Sequence, residues 1–554
     1  MKTAPYVVIS APETTTAAMM KMMTIRMMTI TIKPAPNQYL PLAIMSPLSY
    51  CLLVAFLLHS FVGICQELTS ERIATLAEQQ LPHAWSNFHS LLSLPNDAHY
   101  PKDIEPNIAW LDSAFQSYKF QTQRLATEGE IPLLLAERSF APSEKTVLIY
   151  LQADGQPVDP SRWNQSHPFT PVLKSQAEDG SWQEVDWNEL TPEADYEDWR
   201  VFVRSASDAK GPIIMFLAAL DAMGQAEFTP NYNIKVIIDF EEELGSPNLP
   251  AAVKKHQKAL AADMLIIYDG PPHITNQPTL KFGARGIATV TLTVYGPRVP
   301  QHSGHYGNYA PNPGFRLSHL LASMKDEQGR VTIPGFYDGI ELNAATKKVL
   351  NQVPDDEGDI QQKLGIAQAD QVGATYQEAI QYPSLNIRGL SSGWVAQRVR
   401  TIVPSTATAE IDIRLVMESD PERLVRLVRE HVEQQGYHLV DSLPTDKERS
   451  THPKIAFFRS QISYPAFRTK LDSEVGHWLS AALAHHFGGS PIKIRTTGGS
   501  VPIAPFVNTL GIPAVIVPTV NPDNNQHSPN ENLRLGNLTR GIETYLAILA
   551  QPLP

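Results

Sequence analysis

Three short, uninterrupted apolar runs constrain this chain more than any other feature. VLIYL (147–151), IKVIIDF (234–240) and MLIIYD (264–269) have the length and composition of strands buried on both faces. Between the first two lies GPIIMFLAALDAM (211–223), apolar on all sides, which reads as a buried helix. Strands alternating with helices imply an α/β domain on a mostly parallel sheet. Such sheets bind ligands at the carboxyl ends of their strands. Asp154, Glu242, Glu243 and Asp269 all fall at or just past those ends.

The texture changes near Gly286. IATVTLTVYG (287–296) and TATAEIDIRLV (406–416) alternate like half-buried sheet strands, with helical RLSHLLASM (316–324) between them. This reads as a smaller α+β domain inserted into the first, the part that the resemblance given below implies to be a lid and dimerisation domain. SEVGHWLSAALAHHF (473–487), PAVIVP (513–518) and LTRGIETYLAIL (538–549) then return the chain to the first domain. With 554 residues the chain exceeds one core. The expected division is an upstream and signal segment at 1–65, the first domain at 66–283 and 459–554, and the inserted domain at 284–458, which the resemblance below implies to be catalytic domain and lid respectively.

Residues 48–64, LSYCLLVAFLLHSFVGI, are too short and too interrupted for a membrane span. They fit the apolar region of a secretory signal, with Gly63-Ile64-Cys65 as the cleavage site before Gln66. A secreted or periplasmic protein is expected, a retained membrane anchor being the lesser alternative. Both cysteines, Cys51 and Cys65, lie here or at its edge. The body therefore has no thiol, and any metal site must use His, Asp, Glu or amide oxygens. The net charge is −12 and no Lys/Arg cluster occurs, so no nucleic-acid partner is expected.

Each acidic element has a bland reading when taken alone. Asp154, two residues after Gln152, could cap a helix. Asp208, in Ser207-Asp208-Ala209-Lys210-Gly211, could be the N-cap of the buried helix or could aim a carboxylate into the crevice. Glu241-Glu242-Glu243 could be a solvated charge run. Asp269 could simply end a strand, and His527 could be a solvated loop histidine. Together they carry more weight, because four of the five elements converge on one edge of one sheet.

In that order the motifs resemble the zinc-dependent exopeptidase and deacylase family. Carnosinase-like dipeptidases, glutamate carboxypeptidases, aminoacylase, acetylornithine deacetylase and succinyl-diaminopimelate desuccinylase belong to it. LQADGQPVDPSRW (151–163), SDAKGP (207–212), EEELGS (241–246), YDG (268–270), HSG (302–304), TIVP (401–404), IRLV (413–416), GGSVPI (498–503) and HSPNE (527–531) follow the family's sequence of motifs from about Glu67 onward. HSG and GGSVPI look closest to the dipeptidase branch. The resemblance implies a two-zinc site in which Asp208 bridges, Asp269 holds one ion, and Glu243 with His527 hold the other. It implies that Glu242 is the general base and that Asp154 orients Glu242 or a neighbouring ligand. His302 would reach across a homodimer interface to the developing oxyanion, and Thr401, Arg414, Gly499 and Ser500 would hold the substrate's carboxylate and carbonyl oxygens. The substrate would be a dipeptide, a small peptide or an N-acyl amino acid.

One departure stands out. The family's first motif has His two residues before the Asp, and here that position is Gln152. An amide oxygen is neutral, hard and a weaker zinc ligand. The ion shared by Gln152, Asp208 and Asp269 is therefore expected to bind weakly or to be a harder ion such as Mn2+, with Co2+ as a further possibility. Three outcomes stay open: Gln152 as an oxygen ligand, a single firmly held metal, or a binding protein without turnover. Retained hydrolysis is the expectation, because base, bridge and His302 are all present. Two lesser departures are Val203-Arg204-Ser205 in place of a Gly-Arg-Gly, and a long acidic stretch from Phe169 to Val203 that could narrow the cleft.

Overall fold

The computed structural model describes residues 68–140, 143–191, 194–499 and 501–554. The signal-like run and both cysteines lie outside the described residues, as does Ser500.

Eight strands form the main sheet, in the order Gln121–Leu125, Leu133–Arg138, Asn233–Asp239, Thr146–Gln152, Met264–Ile267, Ala514–Ile516, Thr279–Lys281, Ile492–Ile494. The four strands from Asn233–Asp239 to Ala514–Ile516 run parallel, as their apolar runs imply. Four of the seven pairings are parallel, as expected of a mostly parallel sheet, and the three antiparallel ones lie toward the flanks. Gln121–Leu125 is an exposed edge strand that joins Leu133–Arg138 through a short connection, which can only pair it antiparallel.

Period-two side-chain direction divides Thr146–Gln152 between two cores. Val147, Ile149 and Leu151 enter the larger one, and Leu148 and Tyr150 the smaller. The larger core takes Ser70–Leu92, Lys210–Gln225, Glu474–Phe487 and Leu535–Ala550. Helix Lys210–Gln225 is buried from Lys210 through Leu220, which explains its apolar circumference. Each buried Ile, Leu or Phe there contributes roughly 1.5–3 kcal/mol. Leu249–Lys255 and Ala504–Leu510 cover the other face.

The inserted domain is a five-stranded sheet in the order Ser384–Ser392, Thr406–Leu415, Gly286–Tyr295, Ile455–Tyr464, His438–Val440. Ala288, Val290, Leu292 and Val294 are buried between partly exposed threonines, the alternation read from the sequence. Helices Pro313–Ala322 and Pro421–Gln434 pack on that face. The expected return at residue 459 falls inside strand Ile455–Tyr464, which pairs with Gly286–Tyr295 as far as Tyr464. The chain therefore leaves the lid sheet after residue 464.

The long acidic stretch forms a small antiparallel sheet of its own. Its strands Trp182–Glu184, Val172–Gln176 and Arg200–Phe202 end against Asn532–Arg534, which follows the His527 loop. The insertion thus braces the two segments that carry Asp208 and His527.

Candidate metal centre

Neighbouring strands end in register at Gln152 and Asp239, which pair directly. Asp239 is buried and fixes the turn that follows it. It accepts hydrogen bonds from the Tyr150 hydroxyl at 3.0 Å, the Ser246 hydroxyl at 2.6 Å and the Glu241 N–H at 3.0 Å. The turn closes at Gly245, whose φ of 80° is left-handed and suits glycine. Glu242 and Glu243 are thereby held at the sheet edge. Asp154, fully enclosed, accepts the Glu243 N–H at 2.9 Å, so it positions a neighbouring ligand through its backbone. Burial, and next the charge of Asp239, push the Asp154 carboxyl well up.

Asp208 arrives from the opposite side. The N-cap position belongs to Ala209, so Asp208 is not a cap and points into the crevice. Glu531, fully buried, shapes this turn. It accepts the N–H groups of Ser205, Ser207 and Asp208 at 2.9–3.0 Å and an Arg204 guanidinium N–H at 2.6 Å. Gly211 lets the helix start this close, because a Cβ there would lie 2.2 Å from the Ala206 carbonyl oxygen.

His527 completes the cluster. Its Nε2 is 2.9 Å from Asp208 Oδ2 and 3.4 Å from Glu243 Oε2, with the imidazole half-exposed. One donor atom from each of Asp208, Glu243 and His527 falls within 4.8 Å of the others. Hydrogen bonding to Asp208, with Glu243 nearby, raises the imidazole to about 9. Burial and Asp208 raise Glu243 to about 8 and Asp269 to about 7. Burial and the charges of Asp269 and Asp208 push Glu242 well up. Carboxylates this crowded call for a cation. The donor set fits one: Glu243 Oε1 is buried without a hydrogen-bond partner, and imidazole with carboxylates suits zinc.

The Gln152 side differs. Its Nε2 donates to Asp208 Oδ1 at 3.2 Å and lies 3.4 Å from Asp269 Oδ1, while Oε1 is buried and unpaired. Lys281 stands nearby, its ammonium donating to the Pro271 carbonyl at 2.7 Å. Burial lowers Lys281 to about 8 against the opposing pull of Asp269.

The remaining site residues form two further groups. His302 and Thr401 adjoin on the lid: His302 pairs with Ile402, and the Ser303 N–H donates to the Thr401 carbonyl. The His302 ring is exposed and accepts the Gly304 N–H, so its hydrogen bond stays within its own loop. Gly499 accepts the Arg285 N–H at 3.3 Å, and the charge of Arg414 acts on Arg285, which burial lowers to about 10. Sequence reasoning assigned no role to Arg285, Asp239, Lys281 or Glu531. It also missed Gln156, which donates to Glu243 Oε2 at 2.8 Å, and Gln526, 3.4 Å from Asp208 Oδ2.

Residues 282–440 match the peptidase dimerisation domain of the M20 peptidases. The Cys-Gly metallodipeptidase dug1 of Schizosaccharomyces pombe is 27% identical over 438 residues, covering 76% of this chain and 84% of the relative. The human Beta-Ala-His dipeptidase is 26% identical, covering 76% and 77%. The M20 family metallo-carboxypeptidase Sso-CP2 of Sulfolobus solfataricus superposes with a TM-score of 0.68 at 25% identity, over 84% of this chain and 98% of the other.

Over most of its length the chain is thus similar to M20 peptidases, and residues 282–440 match their dimerisation domain. The cluster of Asp208, Glu243 and His527 and the adjacent Glu242 occupy the carboxyl edge of the main sheet, and four strands of the inserted sheet fall within the segment that matches the dimerisation domain.

Proposed function

We propose that this chain is a secreted, zinc-dependent dipeptidase acting as a homodimer. The observation that carries the reading is the carboxylate cluster at the sheet edge, with His527 closing it and the Glu242 carboxyl beside it, pushed well up by burial and by the charges of Asp269 and Asp208. Asp208, Glu243 and His527 would hold a divalent ion, which when bound would supply the Lewis acidity that lowers the pKa of a water toward neutrality. Glu242 accepts the proton of the attacking water and passes it to the leaving amine, for which a raised carboxyl is suited. Asp154 keeps Glu243 in place through the backbone, and Glu531 does the same for Asp208. Arg414, whose charge acts on Arg285, supplies a guanidinium of the kind suited to a substrate carboxylate. The exposure of His302 within the matched dimerisation domain supports a role across a subunit interface. The apolar run 48–64 supports secretion, and no helix among the described residues is long and apolar enough to cross a membrane.

The test is turnover by the purified chain, supplied with zinc, manganese or cobalt, on a panel of dipeptides and N-acyl amino acids. Dipeptide hydrolysis is expected. Preferential cleavage of N-acyl amino acids would replace dipeptidase with deacylase. No turnover by a folded, metal-loaded dimer would overturn the enzyme and leave a binding protein, the reading that Gln152 keeps in view.

A further inference from the structure

Asp208 presents two oxygens to two different surroundings. Oδ2 faces His527 and Glu243. Oδ1 faces Gln152, which also approaches Asp269. In a two-ion site the second ion would stand between Asp208 Oδ1 and Asp269. Here that position receives the amide nitrogen of Gln152, a donor with two hydrogens directed toward two carboxylates. Oε1, the one atom of this side chain able to ligate a metal, is turned elsewhere and buried without a partner. If the amide were reversed, three oxygens would face one another and only a cation could hold them.

Lys281 supplies a second reason. It ends strand Thr279–Lys281 and is anchored on the Pro271 carbonyl at 2.7 Å, two residues beyond Asp269. A Cβ on Gly270 would lie 3.9 Å from its Nζ, which places the ammonium against the Asp269 segment, and its charge acts on Asp269. A divalent ion at the second position would meet a fixed positive charge and an N–H donor in place of a third ligand. The two carboxylates already share an N–H donor, and Asp269 has the charge of Lys281 acting on it as well.

We propose that Gln152 and Lys281 together replace the second metal, so that the chain carries one ion, on Asp208, Glu243 and His527. This rests on the metallohydrolase reading above. It differs from a weakened two-metal site because the second position is filled by the protein.

The test is metal stoichiometry, read independently of turnover. The stripped full-length chain is dialysed against zinc, and zinc per chain is measured by mass spectrometry. One zinc per chain is expected for the wild type. Two would overturn the inference while leaving the hydrolase reading intact, and none would overturn both. The double variant Gln152→His, Lys281→Met should gain a second zinc, with second-site affinity rising by about 10–100-fold, the range over which single groups around a metal act. A folded double variant that still binds one zinc would refute the assignment to these two residues. If the variant does not fold, the anomalous zinc signal in wild-type crystals decides. One peak among Asp208, Glu243 and His527 supports the inference, and a second between Asp208 and Asp269 overturns it.

Discussion

Replacing Glu531 by Gln should disable the site without touching a metal ligand. Glu531 and Arg204 have side chains 0% and 3% exposed, so neither charge has recourse to water. One carboxylate oxygen accepts Arg204 Nη1 and the Ser205 N–H, and the other accepts the Ser207 and Asp208 N–H groups. An amide has one NH2 end, and in either orientation that end faces two donors. Two hydrogen bonds become repulsive contacts and Arg204 keeps an uncompensated buried charge. Breaking one partner of a buried pair costs about 3–5 kcal/mol. Arg204→Met should cost less, because the remaining carboxyl, already pushed up by burial, can take a proton. The double variant should be less destabilised than the sum of the singles, with a coupling of about 0.5–3 kcal/mol. Urea titrations of the four proteins measure these values, and zinc affinity reports whether Asp208 has moved. A loss below about 1 kcal/mol for Glu531→Gln, or strict additivity, would refute the claim that this carboxylate organises the bridging turn.

Further outcomes can be checked directly. Glu242→Gln should lower turnover by roughly 10²–10⁴-fold with bound zinc unchanged, and substantial residual turnover would remove the base assignment. Chelation should abolish turnover reversibly. Because burial and Asp208 hold Glu243 up at about 8, and Asp208 holds His527 up at about 9, deprotonation of these ligands must accompany binding, so zinc affinity should rise with pH from 6 to 9. Calorimetry in buffers of different ionisation enthalpy would show the released protons. Gly211→Ala should destabilise the chain by about 1–3 kcal/mol, since its methyl would overlap the Ala206 carbonyl, and an unperturbed unfolding midpoint would count against the close packing. Glu418 joins the lid to Arg468 and Arg495. Burial raises its carboxyl, but hydrogen bonds from Arg468 prevail and hold it below the usual glutamate range. Its stabilisation is therefore present above the unfolded value of about 4.3 and lost as pH falls through the lower folded value. Glu418→Gln should make the segment around residue 465 more protease-sensitive at neutral pH, mimicking the effect of acid.

The legible part of this chain was the part written in local pattern. Continuous apolar runs could only be central strands, and their ends had to deliver Gln152, Asp154, Glu242, Glu243 and Asp269 to one edge. The antiparallel flank was not legible, because QTQRL is a solvent-facing edge strand with only its last residue buried, so no period marks it. The groups that hold the ligands in place escaped for a different reason. Glu531 meets Asp208 across 323 residues, and Gln156 meets Glu243 across 87, contacts that no spacing encodes. Lys281 is the sharper case. Gln152 was visible as an odd residue in a motif, and taken alone it implied a weaker ligand. Its meaning changes once Lys281 is seen beside Asp269, because the pair then accounts for both missing features of a second ion, a positive charge and a partner between two carboxylates. A substitution that looks like the decay of a metal site in sequence becomes, in three dimensions, half of a replacement. The other half lies 129 residues away, on a strand with no chemistry of its own to draw attention to it.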